Sequence, residues 1–307
     1  MDKILFIDAH NQMHRACISF GGSKIHENCL SCINEKHTKE KHCICGAAWN
    51  TEETYCYGDK YLYVYNFFRN LRPLIEDFSP DKAYFVLEGR PQFRYDLYSD
   101  YKANRIIKQA SVDKQASRDK FQAAKEIIVD LMHLLPITLC RAANYEADDL
   151  VATLCENMRD EELTILSNDN DYKQLLQKGY NNLRIYNPIK KEFMENVDYP
   201  FLPHKCLVGD KSDNIKRLVS DKKALEILND PKKFSDFLDI EENRANFAIN
   251  KKLIEFAEVP LDEIIITTGQ TNFTKLKEIF VSMKFNSFFE SEKTWEKYIN
   301  TFSCIKY

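Results

Sequence analysis

Acidic residues stand at four kinds of place along this chain where carboxylates could do chemistry. Asp8 ends the apolar run Ile4-Leu5-Phe6-Ile7, and Glu88 ends Ala83-Tyr84-Phe85-Val86-Leu87. Asp169 and Asp171 follow Leu163-Thr164-Ile165-Leu166, Glu146, Asp148 and Asp149 lie together, and Asp210 and Asp213 share a short segment after Gly209. If these nine side chains converge, their like charges raise one another's pKa values unless cations neutralise them. Oxygen-only ligands favour hard cations, here Mg²⁺ or Mn²⁺. Two such ions, roughly 4 Å apart, clamp the attacking and leaving oxygens of a phosphoryl displacement and lower the pKa of a water molecule. The chemistry this predicts is metal-dependent phosphodiester hydrolysis. A single strand-end acid is commonly a turn residue or a helix cap, and an acidic first turn is commonly a response to the helix dipole. Each of these explains one group; neither explains four.

The elements that must position these acids are legible in outline. The three apolar runs read as strands buried on both faces, as in a parallel sheet. Between them Tyr61 to Phe78, Arg118 to Leu135 and Ala147 to Met158 carry helical spacing. Strand, helix, strand order predicts an α/β fold with a mostly parallel twisted sheet flanked by helices. In such sheets the ligand site lies beyond the carboxyl ends of the strands, which is where Asp8, Glu88 and Asp169 stand. Residues 1–200 read as this α/β core. Residues 201–307 change texture near Pro203, rich in Lys, Asn, Glu and Phe, and read as a helical portion without a convincing strand pair.

The chain has 307 residues, 44% of them hydrophobic, and a net charge of -4. No stretch approaches the ~20 apolar residues of a membrane helix. The opening run is too short for a signal peptide, so a soluble cytoplasmic monomer is expected. The mild negative charge leaves nucleic acid open as a partner, because phosphates need only a local basic stripe. A phosphatase of haloacid-dehalogenase type wants an Asp-x-Asp pair after its first strand; here Asp8-Ala9-His10 excludes it.

Five motifs in order resemble the 5′-nuclease family of flap endonucleases, bacterial polymerase 5′→3′ exonuclease domains and phage RNase H enzymes. They are the first strand with Asp8, Tyr101-Lys102-Ala103-Asn104-Arg105, Tyr145 to Asp149, Asn168 to Asp171 leading to Gln174-Leu175, and Gly209 to Ile215. The resemblance runs from Asp8 to about Leu228. It implies a PIN-like core, though a PIN-type toxin ribonuclease would be shorter and lack the Tyr101 and Gly209 motifs. It also implies a 5′→3′ exonuclease or flap endonuclease with two Mg²⁺ or Mn²⁺ ions. The substrate would be DNA with a 5′ end or flap, or an RNA–DNA hybrid, during replication or repair, with replication proteins as partners. A free-standing chain of this kind resembles phage enzymes, which would work in a host cytoplasm. By this resemblance Glu88, Glu146, Asp148 and Asp8 serve the tighter cation. Asp169, Asp171, Asp213 and Asp210 serve the second, with Asp149 acting through water. Lys102 and Arg105 point at the scissile phosphate, and Tyr101 stacks on a terminal base. Arg94, Lys108, Lys216 and Arg217 are further candidate nucleic-acid contacts. Residues 94–125 take the place of a helical arch; from Lys102 to Lys125 they carry seven Lys/Arg. By composition alone this segment would be a solvated surface helix.

Three features depart from the family. Residue 88 is Glu where relatives usually carry Asp. Ile215 is followed by Lys216-Arg217-Leu218-Val219 where relatives usually carry a Pro- and Gly-rich hairpin that grips duplex DNA, so Lys216, Arg217, Lys222 and Lys223 are the substitutes for that grip. Segment 20–58 is additional and holds five of the ten cysteines. Cys29, Cys32, Cys43 and Cys45 could close a tetrahedral structural Zn²⁺ site, with His37, His42 or Cys56 as alternates; reduced loop thiols are the other reading. The rival to a nuclease is a nucleic-acid-binding relative whose chemistry has weakened, supported by Glu88 and the altered hairpin.

Overall fold

A computed structural model describes residues 1–18, 25–26, 29–33, 59–103 and 112–306. Its strands include a mixed, mostly parallel sheet of seven, flanked by helices. The first strand, β1 (Lys3–Asp8), is buried from its second residue onward, as a continuous apolar run requires when both faces are covered. Helix α1 (Ala9–Ile18) follows directly, and β2 (Ile25–His26) and β3 (Cys29–Ile33) pair as a separate antiparallel hairpin. Helix α2 (Asp59–Phe78) leads to β4 (Lys82–Leu87), which lies parallel to β1 in the register Ile4 to Lys82 through Asp8 to Val86. Next come α3 (Gln92–Leu97), α4 (Val112–Met132), β5 (Thr138–Ala142) and α5 (Ala147–Asn157).

Strand β6 (Glu162–Leu166) pairs in parallel with β7 (Leu183–Asn187), which turns back antiparallel to β8 (Glu192–Phe193). A 3₁₀ turn (Asn170–Tyr172) and the short α6 (Lys173–Leu176) lie between β6 and β7. After β8 come α7 (Phe201–Val208), α8 (Asp221–Leu228), α9 (Pro231–Asp239) and α10 (Glu241–Ile254). The chain closes with β9 (Ile264–Thr268), α11 (Phe273–Ser282) and α12 (Glu292–Ser303).

The fold class is as expected, with two differences in detail. Six short strands were not foreseen: β2, β3, β5, β7, β8 and β9. The last of these lies within the portion expected to be helical. Its residues Ile264-Ile265-Ile266-Thr267-Thr268 are a β-branched strand signal that was passed over as part of the helical texture. The chain also gathers into two compact units that interleave in sequence. One comprises Met1–Val86, Ala116–Cys140 and Ile266–Tyr307; the other comprises Leu87–Gln115 and Arg141–Ile265. The expected boundary near residue 200 falls inside the second unit.

The first unit has an aromatic core: Phe68 meets Phe280 at 5.2 Å between ring centroids, and Trp295 stacks on Tyr298 at 5.3 Å. The second contains the cluster Tyr101, Cys206, Ile215, Leu253 and Ile254, and a smaller one of Leu207, Ala224 and Ile227. Among the described residues no helix is long and apolar enough to cross a membrane. Cys140, Cys155 and Cys206 are buried thiols, Cys17 is partly buried and Cys304 is exposed. Cys29 and Cys32 fall on β3; Cys43 and Cys45 lie outside the described residues, as do Arg105 and Lys108.

Candidate metal centre

The second unit brings three of the nine predicted acids together at the start of α5. Glu146 is the residue before the helix, and Asp148 and Asp149 occupy its first turn. Oxygens of Glu146, Asp148 and Asp149 all lie within 4.8 Å of one another. Such crowding needs positive charge, and the fold supplies two cationic side chains from the segment after β4. Arg94 on α3 is only 2% exposed. Its guanidinium grips Asp149 with two bonds of 2.6 and 2.7 Å, and donates to Glu146 at 2.9 Å and to the Glu255 carbonyl at 3.1 Å. The Lys102 ammonium pairs with the other Glu146 oxygen and lies 3.8 Å from Asp213. Tyr101 donates its hydroxyl to Glu146 at 2.9 Å.

These contacts order the protonation of the cluster. Burial alone would raise the Glu146 pKa, but Lys102 and Arg94 outweigh it and hold the carboxyl below its usual range. At Asp148 the same two cations are outweighed. Burial, then Asp149 and Glu146, push its carboxyl well above the ordinary range. Burial would lower the Arg94 pKa; Asp149 and Glu146 reverse that and fix it as a cation.

Asp149 is held from several sides. Besides Arg94, it accepts the Glu146 N–H at 3.1 Å and the Ala257 N–H at 2.7 Å. Its two oxygens thus accept four hydrogen bonds, the full capacity of a carboxylate. Asp149 anchors the cluster, and Glu146, Asp148 and Asp149 together carry the oxygens that could hold an ion.

A second acidic group gathers around Lys205 on α7. The ammonium is 2.8 Å from Asp171 and 2.8 Å from Asp210. Asp210 also accepts from the Ser212 amide and hydroxyl at 2.7 and 2.6 Å. Burial would raise its pKa, yet Lys205 and Ser212 bring it down to about 2. Asp171 goes the other way: burial raises it and, with Lys205 opposing and Asp169 adding, it reaches about 6. Asp169 caps the 3₁₀ turn by accepting the Asp171 N–H at 2.9 Å. Gly209 precedes this group at φ +68°, where a Cβ would sit 2.6 Å from the Ile215 carbonyl oxygen, so the turn back to Ile215 requires glycine.

The two groups are joined through Asp213, which faces Lys102 and whose N–H lies 3.4 Å from Asp210. Both groups contain ammonium ions seated among carboxylate oxygens, and the donors on offer are all oxygen. That is the donor set of a hard divalent cation, so the residues fit such an ion.

Other predicted residues are placed as follows. Glu88 directly follows β4 and is half-buried. Asp8 ends β1 in the first unit, 8% exposed, and accepts the Asn11 N–H at 3.1 Å. Lys216 and Arg217 are exposed beyond Ile215. Two expected nucleic-acid contacts are corrected. Arg94 is enclosed by its carboxylates, and Tyr101 is 3% exposed within an apolar cluster, so neither face is open to a base or phosphate. Sequence reasoning also missed Lys205, four residues before Gly209. Its spacing to Asp210 was visible, but a lone lysine on an apolar helix carries no signal of its partners.

This is an α/β fold of the PIN-like type, with an acidic centre built on one helix start and one loop. The family model for the 5′-3′ exonuclease N-terminal, resolvase-like domain matches residues 3–200, and the chain belongs to that 5′-nuclease family. A 5′-3′ exonuclease of Bacillus subtilis (strain 168) is 32% identical over 165 residues, 49% of this chain and 52% of that protein. The chain thus spans about half the length of this relative. A 5′-3′ exonuclease of Mycoplasmopsis pulmonis (strain UAB CTIP) is 25% identical over 249 residues, 76% of this chain and 81% of that one. Among solved structures, the bacteriophage T5 flap endonuclease in a complex with DNA and metal ions superposes with a TM-score of 0.56. It shares 14% identity and covers 98% of both chains, a likeness of fold.

Proposed function

We propose that the chain is a divalent-metal-dependent 5′→3′ exonuclease or flap endonuclease that hydrolyses phosphodiesters of DNA, RNA primers in RNA–DNA hybrids included, using two Mg²⁺ or Mn²⁺ ions. One observation carries the reading: Glu146 and Asp148 converge at the start of α5, with the Lys102 ammonium between Glu146 and Asp213. Glu146 and Asp148, with Glu88, are the proposed ligands of the first ion. Asp171, Asp210 and Asp213, with Asp169, are those of the second. When bound, such ions polarise the phosphate and supply an ionised water at neutral pH.

The chain's own groups do the rest. Lys102 holds a positive charge at the junction of the two acidic groups, where charge on a transferring phosphoryl group would be stabilised. Arg94 holds Asp149 in place and keeps Glu146 ionised, so the ligand oxygens need no reorganisation. Arg105 and Lys108 are proposed phosphate contacts in an arch over 94–125, and the exposed Lys216 and Arg217 are proposed contacts to the duplex backbone. A structural Zn²⁺ on Cys29, Cys32, Cys43 and Cys45 is proposed for the extra segment. Homologous nucleases favour this activity, since the Bacillus and Mycoplasmopsis relatives are named as 5′-3′ exonucleases.

The test is product mapping on 5′-flap, blunt and RNA-primed duplexes with Mg²⁺. Cleavage near the 5′ end, lost on chelation, supports the reading. Tight binding of the same substrates without cleavage, with Mg²⁺ or with Mn²⁺, would leave the weakened, binding-only relative in its place.

A further inference from the structure

We infer that Asn214 is a positioning residue that sets the aim of Lys102. Two short segments far apart in sequence are stitched together here by a reciprocal pair of hydrogen bonds. The Lys102 N–H donates to the Asp213 carbonyl at 2.9 Å, and the Asn214 side-chain amide donates to the Asp100 carbonyl at 3.0 Å. Each bond runs from one segment to the other, so together they fix both the separation and the register of residues 100–102 against 213–214.

The backbone shows why two bonds are needed. Lys102 has φ +57° and Asn214 has φ +62°, both in the left-handed region. That region disfavours L-residues, and a lysine has no local means of offsetting the strain. Asn is one of the few residues that visits it readily, because its short amide can bond locally. Asn214 therefore does two things that few other side chains could combine: it accepts the left-handed turn after Asp213 and clamps the carbonyl two residues before Lys102. With the backbone so held, the Lys102 ammonium reaches Glu146 and comes within 3.8 Å of Asp213. Relaxation of Lys102 to an ordinary φ would swing its side chain away from this junction. The strain is maintained from the partner segment, and Asn214 is the part of that segment that side-chain chemistry can change.

The inference rests on the role given to Lys102 in the proposed nuclease, so its test has an arm that needs no cleavage. Asn214→Gly keeps the left-handed turn and deletes the amide. Asn214→Asp keeps the shape and presents an acceptor to the Asp100 carbonyl. Both serve, should one fold poorly. In single-turnover cleavage of a 5′-flap DNA with Mg²⁺, each is expected to slow the reaction by about tenfold or more, as small misplacements of a reacting group do. Affinity for the same DNA in Ca²⁺ is expected to stay near that of the parent. In a Lys102→Ala background the further change on Asn214→Gly should nearly vanish, because a positioning residue has nothing left to position.

The second arm is amine labelling read by peptide mass spectrometry. Labelling of Lys102 should rise several-fold in Asn214→Gly, with Lys205 in the same chain as the unchanged control. An undiminished effect in the Lys102→Ala background, or unchanged Lys102 labelling, overturns the inference. If the parent protein cleaves nothing, the nuclease reading fails and the labelling arm alone decides the role of Asn214.

Discussion

The two acidic groups of the second unit solve one electrostatic problem with different materials. The first stands on the opening turn of a buried helix, and its counter-ion Arg94 is a rigid planar fork with every carboxylate contact inside the protein. The second is assembled from a 3₁₀ turn and a loop, around Lys205, a flexible point charge shared by Asp171 and Asp210. A guanidinium bound bidentately fixes geometry, whereas an ammonium on a four-carbon stem can be displaced. The first group is therefore built to hold one arrangement, and the second to exchange its internal cation for an external one. On this account the first group holds its cation more tightly.

Changes at the first group should do the most damage. Asp148→Asn removes a proposed ligand and a charge without removing volume, and is expected to abolish flap cleavage while substrate binding survives or tightens, as read by single-turnover kinetics and fluorescence anisotropy. Asp171→Asn should leave more residual activity, recoverable at high Mn²⁺. Near-parent turnover in both variants would remove the two-ion assignment.

Arg94→Met tests the rigid counter-ion. It leaves Asp149 and Glu146 buried without their partner, which costs about 3–5 kcal/mol when a buried pair is broken. Urea unfolding should show that loss, whereas Lys205→Met, at a more open site, should show much less. Lys102→Ala is expected to lower the single-turnover rate about 10²-fold with little change in affinity. A change confined to affinity would make Lys102 a backbone contact.

A smaller effect separates the groups by pH. In chelator, the Asp171 carboxyl is raised to about 6 by burial, with Lys205 opposing. The contribution from a raised acid is fully present below its unfolded value of about 3.9 and is lost as pH rises through its folded value. Metal-free protein should therefore lose part of its stability between about pH 4 and pH 6. Added Mg²⁺, which binds the ionised form, should stabilise more as pH rises across that window. Asp171→Asn should flatten the dependence, and an unaltered melting profile in that variant would show that other groups set it.

How much of this was readable beforehand follows from what each residue signals. Strands β1, β4 and β6 were legible because they are continuous apolar runs, and their terminal acids drew attention to one end of the sheet. The α5 start was legible from Glu146, Asp148 and Asp149 before a helical apolar face. Arg94 was not, since an arginine in Gln92-Phe93-Arg94-Tyr95-Asp96 reads as a surface charge, and its partners lie more than fifty residues away. Tyr101 was assigned an exposed role that its burial excludes. Strand β9 was overlooked although Ile264-Ile265-Ile266 is a β-branched run, because its place in the sheet comes from long-range pairing, which local patterning does not record. Lys205 belongs with Arg94: a buried cation is identified by its partners, and those are set by the fold.

The most direct test of the comparison counts ions. Mn²⁺ binding to protein freed of divalent metals and reloaded with Zn²⁺, followed by electron paramagnetic resonance, should show two ions per chain with unequal affinity. Asp171→Asn should keep the tighter ion and lose the weaker; Asp148→Asn should lose the tighter. A parent protein that binds no Mn²⁺, or variants that both retain two ions of unchanged affinity, would contradict the account.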